Sequence, residues 1–166
     1  MSEPETLFPT DAASSTFAAR PTARFMRGDV AHWIAFIALT PWMNDLRWAA
    51  LIAVSLPVGW WACSRTARHM GMLDPGSIVW DEIVAFWLVL WLVMPTGVWG
   101  QLFAFALFRF FDAVKPGPVG WADRLFHHTD PTSDRWAWVK AGAGIMLDDL
   151  VAALCTLLVI AVWRWM

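Results

Sequence analysis

Seven charged residues lie at the edges of three apolar segments of this chain: Asp81, Glu82, Arg109, Asp112, Lys115, Asp148 and Asp149. Carboxylate oxygens are hard ligands suited to Mg²⁺. Arginine binds phosphate as a planar fork and lysine binds it as a point charge. A cluster of acids repels itself unless a positive group lies within it. The residue types therefore indicate a metal and phosphate site, an ion pathway or simple ion pairs, and spacing alone leaves these open.

Helix-end electrostatics is the simplest alternative explanation of these charges. Acids at helix N-termini and cations at C-termini are each favourable by about 0.3–1 kcal/mol. On this interpretation Asp148 and Asp149 occupy the first two turns of a helix that begins at Gly144, and Asp81 and Glu82 open another helix. The signs of the charges are then explained. The convergence of five carboxylates on one side of three helices is not.

The apolar segments predict a membrane protein. The chain has 166 residues, of which 58% are hydrophobic and 16% charged, whereas soluble domains have about 25% charged residues. Continuous apolar runs favour helices over barrel strands. The plausible spans are Trp48–Cys63, Val79–Met94, Val98–Val114 and Gly144–Trp163, whereas Val30–Leu39 is too short to cross alone. The predicted fold is all-α, a polytopic membrane helix bundle with about four transmembrane helices plus this short N-terminal apolar segment.

The remaining composition predicts one domain behind a polar tail. Residues 1–24 are rich in Ala, Ser, Thr and Pro and are expected to be disordered, and residues 25–166 are expected to form a single membrane-embedded domain. The net charge of −2 gives no indication of nucleic-acid binding. Cys63 and Cys155 lack the spacing of a zinc site and are expected to be small packing residues. The oligomeric state stays unknown at this level.

Chain direction places the charged residues on one side of the membrane. The short "PTG" turn, Pro95–Gly97, connects two spans that cross the membrane in opposite directions. The first of these spans therefore starts on the side where the second ends, and the last span of the chain starts on that side too. Most basic loop residues face that side too: Arg65, Arg68, Lys115, Arg124, Arg135 and Lys140. Only Arg47 and Arg164 are left for the other side. The positive-inside rule then makes the charged side cytoplasmic.

Three blocks of sequence resemble the phosphatidylglycerophosphatase A family: "GSIVWDEIVAFW" from Gly76, "FRFFDAVKPGPVGWADR" from Phe108 and "AGAGIMLDDLVAA" from Ala141. The resemblance runs from about Arg65 to Ala153, with the blocks in the same order and at similar intervals. It implies a multi-pass protein of the bacterial inner membrane with its active site on the cytoplasmic side. The implied reaction is Mg²⁺-dependent removal of the terminal phosphate of phosphatidylglycerophosphate, a phospholipid in the bilayer, during glycerophospholipid biosynthesis. The products are phosphatidylglycerol and phosphate.

The resemblance also implies roles for the charged residues. The implied catalytic residues are Asp81, Glu82, Asp112 and Asp149. The implied phosphate-binding residues are Arg109 and Lys115. The implied ligands of Mg²⁺ are Asp81, Glu82, Asp148 and Asp149. Direct attack of water on the phosphate and formation of an aspartyl-phosphate both stay open.

One stretch departs from the family pattern. Family members carry a Gly- and Pro-rich stretch with a Pro-Gly-Thr near the first hydrophobic segment, and "AHWIAFIALTPWMNDLRWAALIAV" lacks it. A Gly-rich loop can present backbone N–H groups to phosphate. Its absence bears on activity rather than on ancestry.

A small membrane subunit of a transporter is the alternative class of function. The same carboxylates would then form a cation pathway. Such a pathway would also need acids at mid-helix or on the other side of the membrane, where Asp45 is the one candidate.

Overall fold

A computed structural model describes residues 31–73, 78–125, 134 and 136–166. The chain divides into two compact units, Met1–Ala38 and Leu39–Met166. In the first unit, the described residues 31–38 are helical. The predicted polar tail, residues 1–24, lies outside the described residues.

The second unit is built from helices. A short 3-10 turn, Thr40–Trp42, precedes five described α-helices, which are α1 (Asp45–Met70), α2 (Trp80–Val93), α3 (Val98–Val114), α4 (Pro118–Arg124) and α5 (Ala137–Trp165). None of the described residues is in a β-strand. The predicted all-α class is therefore confirmed.

Local signals explain where these helices begin and end. The Asn44 side chain accepts a hydrogen bond from the backbone N–H of Arg47 at 2.9 Å and caps the start of α1. Gly71, with φ of +66°, ends that helix in the left-handed conformation that glycine adopts without strain. Pro118 occupies the first turn of α4, where its missing N–H removes no hydrogen bond. The Pro- and Gly-containing sequence that follows Lys115 predicts a connection between spans, and the structure shows that part of this connection is the short helix α4.

Helix α5 is the centre of the unit, because it packs against each of the other four α-helices. Small residues such as Ala141 and Gly142 bring α5 close to α1. A Cβ atom built on Gly142 would lie 2.7 Å from the backbone nitrogen of Ser64 in α1, which is closer than real Cβ contacts come. The absence of a side chain at residue 142 therefore sets the distance between these two helices.

Two of the described helices, α1 and α5, are long and apolar enough to cross a membrane. Helices α2 and α3 have 14 and 17 residues, fewer than the roughly 20 needed to span the hydrocarbon core. Four transmembrane helices are thus not confirmed. Large apolar side chains are nevertheless exposed, including Leu46, Trp99 and Leu158. Such a surface is consistent with a membrane-associated protein.

Substitution of Gly142 by Ala should destabilise the protein. In a helix with free space around it, replacement of Gly by Ala would stabilise the helix by about 1 kcal/mol. At residue 142, however, the new methyl group meets the backbone of α1, which cannot move aside without a loss of packing. We expect a net loss of roughly 1–2 kcal/mol, seen as a lower thermal unfolding temperature in detergent micelles. Gly97→Ala is the control, because nothing lies within 4 Å of a Cβ atom there. Equal stability of the two variants would contradict the close approach of α1 and α5.

Candidate active site

The position of Asp148 and Asp149 within α5 excludes a helix-end explanation for them. The sequence predicted a helix that begins at Gly144, but α5 begins at Ala137. The two aspartates therefore lie about three turns into the helix, and the helix dipole acts only within the first turn. Asp81 and Glu82 do occupy the first turn of α2, as predicted. The charges on α5 must be balanced by other elements.

Arg109 joins two carboxylates on neighbouring helices. Its Nη1 atom donates to Glu82 Oε2 of α2 at 3.1 Å and to Asp112 Oδ2 of α3 at 2.9 Å. Arg109 and Asp112 are three residues apart and share one face of α3. All three side chains are largely buried, so each interaction is stronger than it would be in water. We name Arg109, Glu82 and Asp112 the arginine group.

Lys115 forms a second group with two other carboxylates. It directly follows α3, and its Nζ atom donates to Asp148 Oδ2 of α5 at 2.7 Å and to Asp123 Oδ1 of α4. Burial alone would lower the pKa of Lys115, but these two carboxylates outweigh it and hold the pKa above its usual value. The ammonium is therefore positively charged at neutral pH. We name Lys115, Asp123 and Asp148 the lysine group.

Asp149 interacts electrostatically with carboxylates of both groups. Its side chain is almost completely buried, at 4% exposed, and among the described residues none donates a hydrogen bond to its Oδ2 atom. Four carboxylates act on it electrostatically, namely Asp81, Asp112, Asp148 and Glu82. Asp81 is itself buried in the first turn of α2. Several carboxylates thus act on one buried aspartate in the described part of the chain.

The donor chemistry of this cluster fits a divalent cation. Carboxylate oxygens are the ligands that Mg²⁺ prefers, and the buried Oδ2 atom of Asp149 is available to one. In the described ranges, however, no three His, Cys, Asp or Glu side chains lie close enough to enclose a metal ion. One reason is that the carboxylates of Glu82, Asp112 and Asp148 are directed toward Arg109 and Lys115. The Mg²⁺ ligand set therefore stays a prediction.

All seven residues singled out from the sequence come together in this cluster, although their roles stay predictions. Sequence reasoning missed Asp123, although this residue lies within one of the three quoted blocks. No charged residue lies three or four positions before it, so helical spacing gives no connection to Lys115. The one available signal was an acid shortly after the Pro-Gly-Pro turn that follows Lys115. The adjacent histidines His127 and His128, whose spacing favours a solvated loop over a metal site, lie outside the described residues. Cys63 is buried against α5, as expected for a packing residue.

The helices and their charges define a class: an α-helical protein with two helices of membrane-spanning length and an internal site of carboxylates, an arginine and a lysine. Comparison with known proteins narrows this class. The family model described as Phosphatidylglycerophosphatase A matches residues 15–164. The chain therefore belongs to the phosphatidylglycerophosphatase A family, and the resemblance seen in the three sequence blocks is confirmed.

Individual relatives agree with this family. Phosphatidylglycerophosphatase A of Escherichia coli is 37% identical over 114 residues, which cover 66% of this chain and 58% of the relative. That of Haemophilus influenzae is 38% identical over 116 residues, which cover 69% of this chain and 63% of the relative. This chain thus spans less than two thirds of the length of either protein.

A third relative carries a different name. A Bacteroides thetaiotaomicron protein, provisionally named a phosphatidylinositol-3-phosphatase, is 36% identical over 138 residues, which cover 80% of this chain and 76% of the relative. No solved structure matches the chain significantly. The relatives' names agree on phosphatidyl lipids and differ in the headgroup.

Substitution of Arg109 by Ala should destabilise the protein, because Glu82 and Asp112 would lose the cation they share beside Asp149. The pairs are largely but not fully buried, so we expect a loss of roughly 1–3 kcal/mol in the free energy of unfolding. Arg65→Ala is the matched control, because Arg65 is exposed and contacts the Trp61 ring. Thermal unfolding of both variants in the same detergent measures the difference. Equal unfolding temperatures would mean that the arginine group contributes nothing to stability.

Proposed function

We propose that this protein removes the terminal phosphate of phosphatidylglycerophosphate in a Mg²⁺-dependent reaction of glycerophospholipid biosynthesis. The observation that carries the proposal is the buried Asp149, which interacts electrostatically with carboxylates bound to Arg109 and with a carboxylate bound to Lys115. This arrangement combines acids for water or metal with two cations for a phosphate. Membership of the family supplies the substrate class. Because the chain spans 58% and 63% of the first two relatives, the whole activity is part of the proposal.

The two cations would bind the phosphoryl oxygens. Arg109 offers a planar fork and Lys115 a point charge, both suited to phosphate. Both are paired with carboxylates in the structure, so an incoming phosphate would share or replace those partners. Held in a partly buried site, the cations would offset the charge that develops on the phosphoryl oxygens in the transition state.

The carboxylates would bind the metal and handle the proton. Asp81, Glu82, Asp148 and Asp149 would hold Mg²⁺, which when bound supplies a Lewis acid and lowers the pKa of water. Asp112 or Asp149 would orient the attacking water and accept its proton. Water oxygen then bonds to phosphorus, the bond from phosphorus to the glycerol oxygen breaks, and that oxygen takes up a proton. Attack by a carboxylate through an aspartyl-phosphate is the alternative route.

A multi-pass arrangement in the bacterial inner membrane would bring the lipid headgroup to this site. In this arrangement α2 and α3 cross together with α1 and α5, giving about four spans, and the site faces the cytoplasm. The basic residues Arg65, Arg68 and Lys140 support that orientation. Asp148 lies at the level where α3 ends, because it pairs with Lys115. The acyl chains could then stay in the bilayer while only the headgroup enters the site.

Phosphate release from phosphatidylglycerophosphate in mixed micelles tests the proposal. We expect release with Mg²⁺, none after chelation, and a loss of about 100-fold or more in Asp149→Asn, because a buried carboxylate that acts in acid–base or metal chemistry contributes at least that factor. Asp45→Asn is the matched control. Asp45 begins α1 and accepts a hydrogen bond from Trp91 at 3.3 Å, away from both charged groups.

Two outcomes of this assay would contradict the proposal. Full activity in Asp149→Asn would show that this aspartate has no role in the reaction. No phosphate release by the parent protein, with phosphatidylinositol 3-phosphate included as a second substrate, would show that this chain lacks the activity its relatives' names carry. Release from the second lipid alone would correct the headgroup and keep the chemistry.

A further inference from the structure

Lys115 is held in an unusual backbone conformation. Its φ of 47° and ψ of 50° place it in the left-handed region, which costs a residue with a side chain about 1–2 kcal/mol. Pro116 follows directly and disfavours continuation of the right-handed helix at this position. The chain therefore turns away from α3 at Lys115, and the lysine side chain is directed toward α5, where Asp148 accepts its hydrogen bond.

Helix α4 is packed so that a second carboxylate reaches the same lysine. Val119 and Ala122 are completely buried, and α4 packs against α5. A Cβ atom built on Gly120 would lie 2.5 Å from the carbonyl oxygen of Lys115, so only glycine permits this close approach. Asp123 follows three residues later and is hydrogen-bonded to Lys115 Nζ.

The donors of Lys115 are divided in a way that suits substrate binding. A lysine ammonium has three N–H donors. Two are directed to Asp123 and Asp148, and the side chain is 30% exposed. One donor is thus left for a phosphoryl oxygen. Two carboxylates from different helices restrict the ammonium far more than one could, because a long lysine side chain has considerable rotamer freedom.

We infer that Asp123 is a positioning residue: it holds the Lys115 ammonium at Asp148 with one N–H donor free for the substrate phosphate. The inference rests on the proposed function for the role of Lys115 as a phosphate ligand. The position inferred for the Lys115 ammonium does not depend on the proposed function. Asp123 itself needs no contact with the substrate.

Competitive acetylation of the two lysines tests the position without any enzyme assay. Lys115 and Lys140 are the two lysines of the chain. Lys140 pairs with Asp134 at 2.7 Å, outside the site. Mass spectrometry after treatment of the full chain with acetic anhydride gives the ratio of Lys115 to Lys140 labelling. We expect Asp123→Asn to raise this ratio about tenfold, the factor that corresponds to 1.4 kcal/mol of lost interaction. Asp134→Asn is the mirror control and should lower the ratio.

Kinetics then separate a positioning role from a merely structural one. We expect Asp123→Asn to raise KM for phosphatidylglycerophosphate about three- to tenfold with little change in kcat, since it weakens binding in ground and transition state alike. In a Lys115→Met background the same substitution should have no further effect, because residues that act through one another are not additive. Asp134→Asn should leave KM unchanged. Asp123→Glu keeps the carboxylate and should keep Lys115 protected from acetylation.

Each result decides the inference. An unchanged labelling ratio in Asp123→Asn, or an equal kinetic loss with and without Lys115, would overturn it. If Asp123→Asn does not fold, Asp123→Glu decides by its labelling ratio: protection of Lys115 supports the inference and exposure overturns it. If the parent protein releases no phosphate from either lipid, the proposed function fails, and acetylation still decides the position of the ammonium.

Discussion

Two adjacent aspartates in the middle of an apolar helix are the constraint on which the rest of the structure depends. Asp148 and Asp149 lie about three turns into α5, beyond the reach of the helix dipole. A buried charge costs a large amount of free energy unless it is paired or hydrogen-bonded. The compensating charge must therefore come from other helices, and Lys115 brings it to Asp148 from the end of α3. Among the described residues, no hydrogen-bond donor reaches the Oδ2 atom of Asp149.

Backbone packing determines which side chains can reach these aspartates. Helix α5 contacts all four other helices of the unit, and glycines set two of the closest approaches. Gly142 allows α5 to meet α1 at Ser64, and Gly120 allows α4 to meet the carbonyl oxygen of Lys115. A Cβ atom at either position would lie less than 3.0 Å from backbone atoms of the facing segment, so the two segments would have to move apart. The close approach at Gly120 consequently brings Asp123 of α4 within hydrogen-bonding reach of Lys115.

The same charges serve stability and chemistry. In the folded protein Arg109 and Lys115 are each paired with carboxylates, which lowers the free-energy cost of burying the cations and the carboxylates. Those pairs also keep phosphate-binding side chains beside acidic ones in a partly buried site. All seven residues come together because they lie on α2, α3, α5 and the junction after α3.

The sequence by itself determined the all-α class, the apolar segments and the seven charged residues of the site. These follow from local composition and from chain direction, since the short turn at Pro95–Gly97 forces α2 and α3 to run in opposite directions. Only the tertiary structure decided that α5 begins at Ala137, that Lys115 pairs with Asp148, and that Asp123 joins them. Ion-pair partners depend on distances between helices that are far apart in the chain. Those distances are set by packing at small residues such as Gly120 and Gly142, which no local pattern encodes.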